Sequence, residues 1–130
     1  MSKPAMGIYA IYNPTVDAVY IGSSVDVNTR LIMHRMLLRG GRHYNRRLQG
    51  DWLTYGEPTF TYHMLEAVRR PGLLEKRESH WIAAYRRSRG DRLYNVILRA
   101  SRACCPVMRR HPNVGYVYQN GPVLYLETIP

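Results

Sequence analysis

Two short apolar runs near the start of the chain, Met6 to Tyr12 and Ala18 to Gly22, flank the turn-forming stretch Asn13-Pro14-Thr15-Val16. Apolar, aromatic runs separated by such residues predict a β-hairpin. Pairing Tyr12 with Asp17 across a four-residue loop sets Tyr9 opposite Tyr20, so both phenols share one face of the ribbon. The spacing then changes to that of a helix. Ser24 or Asp26 can cap a helix that runs to about Leu38 and ends at Gly40-Gly41. At about 100° per residue, Val27, Leu31 and Leu38 form its apolar stripe, with Arg30 and His34 at the edge and Arg35 and Arg39 pointing elsewhere.

A second helix is expected over Tyr44 to Tyr55, closed by Gly56, followed by a strand over Thr59 to Leu65 and a third helix from Leu73 to about Arg87. The third helix places Leu74, Trp81, Ile82 and Tyr85 on one face, and Glu78 falls in their midst. An isolated carboxylate there loses several kcal/mol of solvation, so it must be paired, protonated or bound to a cation. Glu75, Lys76 and Ser79 point away. Beyond Ile97 the chain is basic and irregular, and the segments Val114 to Gln119 and Val123 to Thr128 alternate across Asn120-Gly121, which predicts a second hairpin. The pattern amounts to an α/β (α+β) fold. A small three-stranded antiparallel sheet is flanked by three helices in domain 1–97, and the extension 98–130 carries a C-terminal β-hairpin appendage.

A length of 130 residues supports one core. No apolar run approaches the ~20 residues of a membrane span, and Met1-Ser2-Lys3-Pro4 has no apolar signal region, so an intracellular, cytoplasmic protein without a membrane partner is expected. The adjacent Cys104 and Cys105 cannot close a disulfide framework, and with His111 they lack the separated pair of a zinc site. Charge narrows the partner. Nineteen basic residues stand against nine acidic ones for a net +10, and only Lys3 and Lys76 are lysines. Arginine's planar donor fork suits phosphate oxygens, which makes a polyanion the expected partner. The clusters Arg69-Arg70, Arg86-Arg87-Arg89 and Arg109-Arg110 suit a surface that tracks nucleic acid.

Gly7-Ile8-Tyr9, ten residues, then Tyr20-Ile21-Gly22 resembles the GIY-YIG nuclease family. Further features match in order: Ser23-Ser24, Arg30 with His34, His43 before Leu48-Gln49, Gly56-Glu57 before Phe60, Glu78 ahead of Trp81-Ile82, and Tyr94-Asn95. The resemblance spans about Met6 to Ile97 and is nearest the phage and intron homing branch, although Leu93 stands where the family often has Gly. It implies an endonuclease of phage or mobile-element type that cleaves DNA and leaves a 5′-phosphate. Tyr9, Tyr20, Arg30, His34 and Glu78 would be catalytic, while Gly22, Ser23, His43 and Asn95 would meet the substrate. Glu78 would hold Mg²⁺, or Mn²⁺ in its place, since such hard ions need few protein ligands beside water and phosphate oxygens. Tyr9 or Tyr20 would activate water and Arg30 would donate to the phosphoryl oxygens.

Each feature also has a plainer reading. Paired tyrosines pack across strands, glycines mark strand ends, an Arg and His four apart form a solvated edge, and Glu78 could pair with Arg30. Co-occurrence in the family's order favours catalysis. A nuclease for single-stranded or branched nucleic acid is the alternative, and a catalytically silent DNA-binding module is the reading from another class. The oligomeric state is not encoded in any recognisable pattern.

Overall fold

The computed structural model describes residues 5–95. The hairpin expected across Asn120-Gly121, the boundary at residue 97, Cys104, Cys105 and His111 lie outside them. Within them, strands β1 (Gly7–Asn13) and β2 (Ala18–Ser24) lead into helix α1 (Val27–Arg39), and α2 (Arg46–Tyr55) follows. Strand β3 (Thr61–Ala67) and helix α3 (Leu74–Arg89) complete the set. The three strands form one antiparallel sheet in the order β2-β1-β3. Among the described residues no helix is long and apolar enough to cross a membrane.

The β1–β2 register corrects one expectation. Tyr9 lies opposite Gly22 and Tyr20 opposite Ile11, so the phenols are diagonal neighbours rather than directly paired. The loop is displaced by one residue: Asn13, expected in the loop, pairs with Ala18, its side chain accepts the Thr15 N–H, and Asp17 takes the left-handed backbone conformation at φ 52°. The pairing sum changes by two, an even number, which leaves every side chain on its expected face.

Two layers cover the sheet. Tyr9, Ile11, Ala18 and Tyr20 face α1 and α2, where Leu31, Leu38, Leu48, Trp52 and Phe60 close the core. Ile8, Ala10, Val19 and Ile21 face α3 and pack with Ile82, Tyr85 and Leu93. This is the period-2 alternation of a sheet buried on both sides. Gly7 is required by proximity, since a Cβ there would lie 2.0 Å from the Glu66 carbonyl oxygen of β3. The β1–β3 register then slips between Ile8 and Tyr9. Such irregularities re-aim side chains.

Strand β2 is a sheet edge, and the segment after α3 covers it. Leu93 bridges Val19 in parallel fashion, and the Tyr94 N–H donates to the Val19 carbonyl at 2.8 Å. Asp26 caps α1 by accepting the Thr29 N–H, and Asn45 caps α2 by accepting the Leu48 N–H. Arg35 and Arg39, which the helical period turned away from the core stripe, both pair with Glu57.

Candidate active site

Of the expected catalytic residues, Tyr9, Tyr20 and His34 meet on one face of the β1–β2 ribbon, and Glu78 reaches the end away from its loop from the other face. Tyr9 is 1% exposed and its ring crosses the backbone at Gly22, where a Cβ would lie 2.3 Å from the phenol oxygen. The absent side chain is therefore what lets the phenol lie there. Tyr9 Oη is 2.6 Å from His34 Nε2, and His34 Nδ1 is 2.7 Å from His43 Nε2. The sequence period put His34 at the edge of the α1 stripe. The structure buries it completely, because the strand phenols and His43 close around it.

Tyr20 presents its ring edge to His34 at 5.2 Å and to His43 at 6.1 Å. Its hydroxyl is 2.8 Å from that of Tyr44, whose ring stacks on His43 at 4.3 Å. Arg30, one turn before His34, is half-buried. Burial first, then the charges of His43 and Arg30, holds His34 well below the ordinary imidazole range. Burial also brings His43 down to about 4.

Glu78 arrives from the α3 side. It is 6% exposed, on the same buried face of α3 as Ile82 and Tyr85, and it accepts a 2.5 Å hydrogen bond from the Ser23 hydroxyl. Gly22 and Ser23 are consecutive, so a phenol from one face of the sheet and a carboxylate from the other meet adjacent residues of one edge strand. A single buried carboxylate is a donor set that fits a hard divalent ion retaining most of its water. Among the described residues no cluster of three or more His, Cys, Asp or Glu forms a fuller cage.

Asn95 sits in the same neighbourhood but faces main chain. Its Oδ1 accepts the Ile21 N–H at 2.8 Å and its Nδ2 donates to the Ile21 carbonyl at 2.9 Å, reproducing the two bonds a neighbouring strand would make. The side chain thus occupies the open edge of β2. His43 likewise turns inward, onto His34, rather than outward. Gln49 secures its loop, accepting the His43 backbone N–H and donating to the Leu38 carbonyl.

Two members of the site escaped the sequence reading. Tyr44 joins Tyr20 and His43, and Asn45 donates its backbone N–H to His43 Nδ1 at 3.0 Å while its side chain caps α2 and donates to the Tyr94 carbonyl. The cap itself was readable, because Asn is a favoured N-cap residue and Asn45 directly precedes the helix. No sequence signal marks Tyr44. Of the remaining histidines, His63 meets the Thr61 hydroxyl on β3 and His80 lies exposed against Trp81.

A model of the GIY-YIG catalytic domain matches residues 5–95. Two solved structures are similar at 29% sequence identity. One is the catalytic domain of homing endonuclease I-TevI, with a TM-score of 0.63, covering 71% of this chain and 98% of that one. The other is the catalytic domain of intron endonuclease I-TevI in a mutant form, with a TM-score of 0.64 and coverage of 72% and 94%. Comparison with curated proteins gives no match.

Proposed function

The chain belongs to the GIY-YIG family, whose catalytic domain makes it a phosphodiester hydrolase acting on nucleic acid, and from that premise we propose a DNA endonuclease that uses Mg²⁺ or Mn²⁺. The observation that carries the reading is the convergence of the Tyr9 phenol on Gly22 and the Glu78 carboxylate on Ser23. Packing alone does not call for a carboxylate on the buried face of α3.

In the proposed reaction, Tyr9 in its phenolate form takes a proton from the attacking water, the water oxygen bonds to phosphorus as the bond from phosphorus to the 3′-oxygen breaks, and the leaving 3′-oxygen takes up a proton from solvent, giving a 5′-phosphate. Tyr20, whose ring shares the same histidine wall, positions the water or a phosphoryl oxygen. Arg30 donates to the phosphoryl oxygens as negative charge builds on them. Glu78 would hold the divalent ion, with Ser23 fixing the carboxylate's orientation, and when bound the ion supplies Lewis-acid stabilisation of developing negative charge. Gly22 gives clearance to the phenol, and Asn95 acts as a strut for β2 rather than as a substrate contact. The proposed domain comprises residues 1–97, with 98–130 extending the basic surface.

The test is cleavage of end-labelled duplex, single-stranded and branched DNA with and without Mg²⁺ or Mn²⁺, by the wild type and Glu78→Ala. Metal-dependent cleavage of duplex is expected, lost in Glu78→Ala while duplex binding persists. Cleavage confined to the single-stranded or branched substrates would replace the duplex reading with the alternative one. Binding without cleavage of any substrate would make the chain a silent binding module, and wild-type cleavage by Glu78→Ala would remove that carboxylate from the mechanism.

A further inference from the structure

Donor counting along the buried imidazole pair determines where each proton lies. The Asn45 backbone N–H can only donate, so His43 Nδ1, 3.0 Å away, accepts and carries no proton. A neutral imidazole then holds its proton on the other nitrogen. His43 Nε2–H therefore donates to His34 Nδ1 at 2.7 Å, and the proton of His34 is left on Nε2, aimed at Tyr9 Oη 2.6 Å away. Protonating either ring sets two N–H groups against each other, at Asn45 and His43 or at His43 and His34. The other titratable or charged groups against this pair are Tyr20 from β2, Arg30 from α1 and Tyr44 from the loop before α2.

We propose that His43, held by the Asn45 amide, is a positioning residue that locks His34 in its Nε2–H tautomer and so makes the Tyr9 oxygen a hydrogen-bond acceptor. Two consequences separate this from a generic histidine contact. His34 is a donor to the phenol, so it is not the group that removes the phenol's proton. The Tyr9 hydroxyl proton is directed away from His34, and an N–H donor aimed at a phenol oxygen favours the phenolate form. The control is remote from the reacting atoms: a main-chain amide at the start of α2 orients two rings and a phenol in series. The kinetic part of this inference rests on Tyr9 being the base. The tautomer part does not.

Long-range ¹H–¹⁵N correlation spectra of the full chain with ¹⁵N-labelled histidine read the tautomers directly. Wild-type His34 and His43 should both show a protonated Nε2 and an unprotonated Nδ1 at neutral pH. His43→Leu removes the donor to His34 Nδ1, and the His34 signals should move toward the Nδ1–H or a mixed tautomer. His43→Gln offers a side-chain N–H near the former Nε2–H and should restore the wild-type pattern. Single-turnover cleavage at saturating DNA should fall on the order of 10²-fold in His43→Leu and recover most of that loss in His43→Gln. A wild-type His34 protonated on Nδ1 would overturn the proposal, whether or not the leucine variant folds. So would a His43→Leu protein with changed His34 signals and an unchanged rate. Absence of cleavage by the wild type would instead sink the nuclease reading, while its spectrum still decides the tautomer.

Discussion

The two ends of the β1–β2 ribbon each bury a tyrosine, and they use it in opposite senses. Tyr94, near the ribbon's loop, and Tyr9, at its open end, are both 1% exposed. The Tyr94 hydroxyl donates to Asp51 at 2.6 Å and accepts from the Asn13 amide at 3.2 Å. Burial and that carboxylate push the Tyr94 phenol above its ordinary range. At the same end, Asp17 gathers the Tyr12 hydroxyl with Arg89 and Arg92. Tyr9 instead meets an imidazole whose tautomer makes it a donor. Equal burial thus does not assign a phenol its role. A carboxylate acceptor retains the hydroxyl proton, and an N–H donor favours its departure.

Removing one oxygen at each end puts the contrast to a direct test. Tyr9→Phe keeps the ring and its packing, and its single-turnover rate should fall by about 10²- to 10⁴-fold, the range for a lost general base. Duplex affinity should be preserved. A wild-type rate would show that Tyr9 contributes only packing. Gly22→Ala should follow with a loss near 10²-fold, since the new methyl must displace the phenol oxygen now 2.3 Å from its position. If that variant cleaves at the wild-type rate, the crossing of Gly22 by Tyr9 has no mechanistic weight.

Tyr94→Phe should do the reverse, leaving the single-turnover rate nearly unchanged while lowering stability to urea by about 1–3 kcal/mol, because Asn13 and Asp51 lose their shared partner. A rate loss as large as that of Tyr9→Phe would erase the distinction between the two ends. The most gradual effect is acid sensitivity. His34 and His43 titrate below the ordinary value of 6.5 in the fold, His43 at about 4. The unfolded chain therefore binds more protons below 6.5. Stability is fully present above that pH and should decline as pH falls toward 4, with a slope of at most about 1.4 kcal/mol per pH unit for each ring. Urea midpoints measured across this interval, with a His43→Gln control, check the sign. A midpoint that rises on acidification would contradict the neutral imidazole pair.

Much of this was legible before the fold was known, for identifiable reasons. Glu78 could be placed on a buried face because helical period is rigid over a few turns, and α3 keeps it beside Ile82 and Tyr85. Tyr9 and Tyr20 could be put on one face because alternation survives an even slip, although the loop's composition left its position open by one residue. The roles of His43, Tyr44, Asn45 and Asn95 were less accessible. They depend on which backbone groups approach from elsewhere in the chain: the Asn45 amide for His43, and the Ile21 peptide for Asn95. Periodicity carries no information about such encounters, so neither partnership could be read from the sequence.

Asn95 also imposes an order on biosynthesis. The residues that meet around His34 all lie within the first 44 positions and can leave the ribosome together, whereas Ile21 gains its side-chain partner only when the chain has grown 74 residues further. Glu78 likewise emerges 55 residues after the serine that holds it. A nascent chain shorter than this has its phenol and histidines but neither the Glu78 carboxylate nor the Asn95 side chain on the edge of β2. Synthesis from the N-terminus therefore leaves Ser23 and the Ile21 peptide without these partners until the domain has been almost wholly translated.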